Sequence, residues 1–83
     1  MPDDTTKQKL IALGTIIKGR ELTSQESTAL FAKADSSKPR TKVGVETVLA
    51  ESLATNAETV HVKLAAHDDS DRLIDQIVTA LGK

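Results

Sequence analysis

The sequence contains no Cys, no Trp and no Tyr, and its only aromatic residue is Phe31. Without Cys the chain has no disulfide, no Cys-ligated zinc site and no thiol nucleophile. One aromatic side chain is too few for the base-stacking platforms of single-strand binders and RNA-recognition sheets. No apolar run approaches the roughly 18 residues of a membrane span, and the acidic residues 1–4 are not typical of a secretory signal. We therefore expect a cytoplasmic protein without a membrane segment.

The chain is short but rich in aliphatic side chains. Leu, Val, Ile and Phe31 together supply 21 large apolar residues among 83, and ten Ala allow helices to pack closely. This content is typical of a folded chain rather than a disordered one. The length predicts a single domain over residues 1–83 of modest stability, because small domains bury a smaller fraction of their surface.

Charge is unevenly distributed along the chain. Residues 1–42 carry eight basic and five acidic side chains, whereas residues 43–83 carry three basic and seven acidic ones. One interpretation is an ordinary solvated surface. The alternative is a molecule with one positive and one negative region.

Apolar residues recur at helical spacing, which predicts an all-α fold, a compact bundle of about five short helices. Capping boxes are predicted at Thr5, Thr23 and Thr55, and Gly19 and Gly82 are expected helix ends. The predicted helices cover residues 7–18, 23–35, 45–54, 55–66 and 71–81. A loop over residues 35–42, which contains Pro39, separates the two helical halves.

One segment is ambiguous between helix and strand. Residues 59–64 alternate polar and apolar side chains, which is strand spacing, while Val60 and Leu64 also lie four residues apart, which is helix spacing. We predict a helix, because a capping box precedes the segment and a single strand without a partner is not stable.

Residues 49–64 resemble the bacterial helix-turn-helix motif. The family pattern is Leu-Ala-Glu-x-Leu, a short turn, and then Glu-Thr-Val with a Leu four residues later; this chain has LAESLATNAETVHVKL. In such a unit Leu49 and Leu53 face the core, Ala50 is small where the second helix crosses, and Val60 and Leu64 fix that second helix. The resemblance implies that the beginning of the second helix enters the major groove of DNA.

The resemblance also implies a set of contact residues. Base contacts are expected from Asn56, Ala57, Glu58, His61 and Val62. Asn56 would cap the helix or read adenine, Glu58 would accept from a cytosine amine, and His61 would donate to a base or phosphate. Phosphate contacts are expected from Lys38, Arg40, Lys42 and Lys63.

The sequence departs from the helix-turn-helix pattern at two points. The family usually has Gly in the turn where this chain has Ala54; either Ala54 adopts positive φ at a cost of about 1 kcal/mol, or the turn is built differently. The predicted recognition helix is also poor in Lys and Arg.

The predicted function is therefore a small DNA-binding protein, a regulator of transcription or an accessory factor such as those of phages and plasmids. The alternative is a helical protein-interaction module without DNA binding. The apolar stripe of the last helix, Leu73, Ile74, Ile77, Val78 and Leu81, is either core or a homodimer surface. We expect no enzymatic activity and no cofactor, because the sequence contains neither a phosphate-binding Gly loop nor a Gly-x-Ser-x-Gly elbow. We also expect no metal site, since His61 and His67 do not share a helix face and residues 68–75 lack a calcium-loop pattern.

Overall fold

The computed structural model describes residues 3–82, which form five α-helices and no β-strand. Met1, Pro2 and Lys83 lie outside the described residues. The first two residues of the acidic segment 1–4 are therefore not described. The helices are α1 (Asp4–Lys18), α2 (Ser24–Ser37), α3 (Lys42–Ser52), α4 (Ala57–Ala65) and α5 (Ser70–Leu81). The predicted all-α bundle of five short helices is confirmed.

The first two helices begin at side-chain caps, only one of which was predicted correctly. The Thr23 hydroxyl accepts a hydrogen bond from the Glu26 amide, and the Glu26 carboxylate accepts one from the Thr23 amide, which is the predicted capping box. α1 begins earlier than predicted because the Asp3 carboxylate accepts a hydrogen bond from the Thr6 amide at 2.8 Å. Asp3, and not Thr5, is therefore the cap of α1.

The connection between α2 and α3 is shorter than the predicted loop 35–42. α2 continues through two serines to Ser37, and Lys38 ends it in the left-handed region at φ 43°. The hydroxyl of Thr41 then caps α3, so that this helix already begins at Lys42. Serine side chains compete with the backbone for hydrogen bonds, which weakens a helix. Here both serines lie in the exposed last turn of α2, so that α2 still forms and simply ends there.

The N-cap of α4 and the first residue of α5 each differ from the prediction by one residue. α4 is capped by Asn56 instead of Thr55. α5 begins at Ser70, and its N-cap Asp69 makes no side-chain capping bond. The buried Ser70 hydroxyl instead donates to the Leu64 carbonyl at 2.7 Å, which ties the start of α5 to the end of α4.

The core is a single cluster of aliphatic side chains drawn from all five helices. α3 packs against α2, α4 and α5, and α1 packs against α2, α4 and α5. The buried members are Leu10, Leu13, Ile17, Leu30, Ala34, Val45, Val48, Leu49, Ala50, Leu53, Val60, Leu64, Ile74, Ile77 and Leu81. Phe31 is only partly buried at the edge of this cluster. The aliphatic core expected from the composition is therefore present.

Gly14 lies in the interior of α1, where glycine costs about 1 kcal/mol relative to alanine. The structure gives a packing reason for it. A methyl group at this position would lie 2.6 Å from the Cδ1 atom of Leu22. Glycine therefore lets the segment between α1 and α2 fold back directly onto α1.

The apolar stripe of α5 belongs to the core of the chain itself. Ile74, Ile77 and Leu81 are buried, and Leu73 and Val78 are partly buried against the same cluster. Of the two interpretations of this stripe, the core is the one that the contacts support. A homodimer through α5 remains a prediction, and these side chains already pack against the core of their own chain.

Arg20 and Glu26 form a bidentate ion pair that connects the end of α1 to the start of α2. The guanidinium donates to both carboxylate oxygens, at 2.8 and 2.9 Å. These hydrogen bonds, together with the one from the Thr23 amide, lower the pKa of Glu26 from 4.5 to about 2. The carboxylate is thus held ionised by a charge partner and a helix cap together.

The lowered pKa of Glu26 predicts a specific pH dependence of stability. A depressed folded-state pKa contributes stability above the unfolded value of 4.5, and that contribution disappears as the pH falls from 4.5 to about 2. The free energies of unfolding of the wild type and of Glu26→Gln, measured in urea, should therefore differ fully above pH 4.5. The difference should shrink as the pH falls and should disappear near pH 2. The exposed Glu21, which makes no side-chain hydrogen bond within residues 3–82, provides the matched control Glu21→Gln. Curves of constant separation across this range would contradict the prediction.

Candidate nucleic-acid interface

α3 and α4 are joined by a short turn and share one buried face. The side chains of this face are each at most 1% exposed, and they are Leu49 from α3, Leu53 at the C-cap of α3, and Val60 and Leu64 from α4. Ala50 is 4% exposed, which is consistent with its predicted place where the two helices approach. Residues 59–64 are helical, so the predicted choice of helix over strand is confirmed.

The turn between the two helices contains a strained alanine. Ala54 has φ 56°, in the left-handed region, and the Thr55 amide donates to the Ala50 carbonyl at 2.9 Å. This is the backbone hydrogen bond of a Schellman ending, in which glycine is the usual residue at the left-handed position. Of the two alternatives for Ala54, positive φ is the one observed.

Two roles were predicted for Asn56, helix cap and adenine contact, and the structure shows the cap. Its Oδ1 atom accepts a hydrogen bond from the Thr59 amide at 2.8 Å. A bidentate contact with adenine needs both the oxygen and the nitrogen of the amide. Because the oxygen already bonds to the start of α4, its Nδ2 group is the part of this side chain available for a ligand.

The outward face at the start of α4 consists of the remaining predicted base-contact residues. Ala57 and His61 lie four residues apart, as do Glu58 and Val62, so these pairs form two neighbouring rows on the helix. All four residues are exposed, and Val62, at 62%, is one of two large apolar side chains left exposed among residues 3–82. The helix therefore presents a mixed acidic, apolar and imidazole surface.

A buried carboxylate lies behind this face. Glu46 of α3 has a side chain only 6% exposed, and its Oε2 atom lies 2.8 Å from Nδ1 of His61, whose side chain is 58% exposed. Glu46 was not among the site residues predicted from the sequence. The one signal for it is its place beside Val45, three residues before Leu49, which puts an acidic residue at the border of the buried stripe.

The four predicted phosphate-contact residues are not equally available. Asp71 accepts a hydrogen bond from Lys42 at 2.7 Å, which raises the pKa of Lys42. Lys63 donates to the Ile17 carbonyl at the end of α1, at 2.9 Å. The side chains of Lys38 and Arg40 are exposed and make no hydrogen bond or salt bridge within residues 3–82. These two residues, in the connection before α3, are therefore the available cations.

No group of three or more His, Asp or Glu side chains within residues 3–82 is arranged to hold a metal ion. No helix in the same range is both long and apolar enough to span a bilayer.

Comparison with known proteins finds no matching family model, no matching curated protein and no matching solved structure.

Proposed function

We propose that this chain is a small DNA-binding protein that inserts the beginning of α4 into the major groove of double-stranded DNA. The observation that supports the proposal is the packing of α3 on α4. It buries Leu49, Leu53, Val60 and Leu64 and leaves the opposite side of the first turns of α4 exposed. In helix-turn-helix proteins the second helix packs against the first and contacts base edges through its exposed N-terminal residues.

The exposed side chains have the chemistry that base edges require. The Glu58 carboxylate accepts from a cytosine amine, and Ala57 and Val62 offer methyl groups to thymine. Asn56 contributes through its Nδ2 group, and His61 through its free ring nitrogen. These residues would supply the sequence preference of the protein.

Phosphate binding would begin at Lys38 and Arg40, which have no ion-pair partner within residues 3–82. Lys42 and Lys63 would join them by exchanging their present partners, Asp71 and the Ile17 carbonyl, for phosphate oxygens. A transcription regulator or accessory factor, cytoplasmic and acting as a homodimer on two half-sites, is the biological form that this proposal favours.

Mobility shift with random duplex DNA over a range of salt concentrations tests the proposal. Each phosphate contact should contribute about 0.9 to the slope of log affinity against log salt. Changing Lys38, Arg40 and Lys42 together to Ala should abolish detectable binding at moderate salt. A control variant with Ala at Lys9, Lys18 and Arg72 removes the same charge from α1 and α5 and should bind far better. Equal affinities for the two triple variants would reject the proposal.

A second function has one observation in its favour. Val43 on α3 is 66% exposed and Val62 on α4 is 62% exposed, and the net charge of the chain is −1. These features suit a protein-interaction module better than they suit a polyanion-binding surface. Absence of duplex binding in the salt series, together with concentration-dependent sedimentation, would favour this second function.

A further inference from the structure

The imidazole ring of His61 has one nitrogen bound within the protein and one nitrogen available. Nδ1 lies 2.8 Å from Glu46 Oε2, while Nε2 makes no hydrogen bond with any residue in the range 3–82. The His61 side chain is 58% exposed, whereas the Glu46 side chain is only 6% exposed. The carboxylate therefore has a fixed position in the protein, and the ring that it holds reaches into solvent.

When the imidazole is neutral, this contact determines which ring nitrogen carries the proton. While the Glu46 carboxylate is ionised it has no hydrogen to donate, so Nδ1 donates to it. In a neutral imidazole only one nitrogen carries hydrogen, and Nε2 is then left with a lone pair. In this tautomer of the neutral ring, the atom that faces solvent is an acceptor, whereas His61 was predicted from the sequence to donate.

We infer that His61 selects one base in bound duplex DNA by accepting a hydrogen bond, through Nε2, from the exocyclic amine of adenine or cytosine. In the major groove adenine and cytosine present amine donors, while guanine and thymine present only acceptor atoms there. The Nε2 lone pair is attracted by the amine hydrogens of adenine and cytosine and repelled by the acceptor atoms of guanine and thymine. Glu46 is a positioning residue, which fixes both the ring orientation and the tautomer.

This inference rests on the proposed function, since His61 meets base edges only if α4 enters the major groove. The tautomer itself does not depend on DNA. It is therefore measured first, on the free protein, so that a failure of the proposed function and a failure of the tautomer are separate results.

Long-range ¹H–¹⁵N NMR of the two histidines tests the tautomer. The chain contains only His61 and His67, and His67 is exposed with no side-chain hydrogen bond within residues 3–82. At pH 9, above the range in which imidazoles ordinarily titrate, His61 should carry its proton on Nδ1. His67 should show the Nε2-protonated form that an unconstrained ring favours. Glu46→Gln, whose side-chain carbonyl still accepts, should preserve the Nδ1 form, and Glu46→Leu should lose it. A proton on Nε2 of His61 in the wild type would overturn the inference.

Selection of bound sites from a random duplex pool at pH 8.5 tests the base preference. At one position the wild type should favour adenine or cytosine over guanine or thymine by about tenfold, the size expected of one well-made hydrogen bond. The double variant His61→Phe with Glu46→Leu removes both partners and leaves no buried charge unpaired, so that its fold should survive. It should lose this preference while retaining the salt dependence of binding, and Glu46→Gln should keep both.

The outcomes separate the two proposals. Duplex binding with an unchanged base preference in the double variant overturns the role of His61 and leaves the proposed function intact. Absence of duplex binding by the wild type overturns both, whichever tautomer NMR reports. Loss of the preference in the double variant and its retention in Glu46→Gln supports the assignment of Glu46 as the positioning residue.

Discussion

Replacing Leu64 with Ala should lower the free energy of unfolding by about 2–5 kcal/mol. The Leu64 side chain is 1% exposed and lies on the face of α4 that packs into the core. Its truncation removes apolar contacts and leaves a cavity that the surrounding helices fill only in part. For 83 residues the whole folding stability is of the order of 4–12 kcal/mol. Urea or thermal unfolding followed by circular dichroism should therefore show a large shift of the midpoint.

Two valines on the same helix provide the matched control for this prediction. Val60 is 0% exposed and Val62 is 62% exposed. Val60→Ala should cost about 2 kcal/mol, whereas Val62→Ala should change stability by less than about 0.5 kcal/mol. The comparison also tests the helix directly, because in a strand the side chains of Val60, Val62 and Leu64 would share one face. Equal costs at the two valines would contradict the helical structure of α4.

Replacing Ala54 with Gly should raise the free energy of unfolding by about 1 kcal/mol. At φ 56° the Cβ atom of Ala54 lies close to backbone atoms, a conformation that costs a non-glycine residue about 1–2 kcal/mol. Glycine removes that strain but has a larger conformational entropy in the unfolded chain, which offsets part of the gain. Thermal unfolding should show a rise in Tm of about 4–8 °C per kcal/mol for a chain of this size.

The same substitution in a helix interior should have the opposite sign. Ala32 is an exposed residue of α2, and Ala32→Gly should lower the free energy of unfolding by about 1 kcal/mol. The two Ala→Gly variants differ only in the backbone conformation at the site. If both destabilise the protein equally, the turn between α3 and α4 does not hold Ala54 at positive φ in solution.

Much of the fold follows from local sequence. The spacing of Leu49, Leu53, Val60 and Leu64 predicted which residues of the α3–α4 unit are buried, and each of them is. Helix spacing is a strong signal because burial of an apolar stripe stabilises most helices in proteins. Helix ends were predicted less well, because several polar residues compete to cap each end. Asp3 caps α1 in place of Thr5, and of the two residues predicted as the cap of α4, Asn56 and not Thr55 is the one observed.

For the candidate site, the sequence predicted which side chains are exposed but not which groups they bind. The exposure of Ala57, Glu58, His61 and Val62 follows from their helical positions relative to the buried residues. The partners of the charged residues do not follow from sequence at all. Glu46 and His61 are 15 residues apart, and Lys63 and the Ile17 carbonyl are 46 apart.

The sequence alone determined that this chain forms an aliphatic helical bundle, since the period of its apolar residues is a local property and the missing residue types exclude disulfides and aromatic platforms. Only the tertiary structure decided which polar groups remain available on its surface. Hydrogen bonds between distant segments form when helices pack, and that packing leaves Arg40 exposed, pairs Lys42 with Asp71 and fixes one nitrogen of His61.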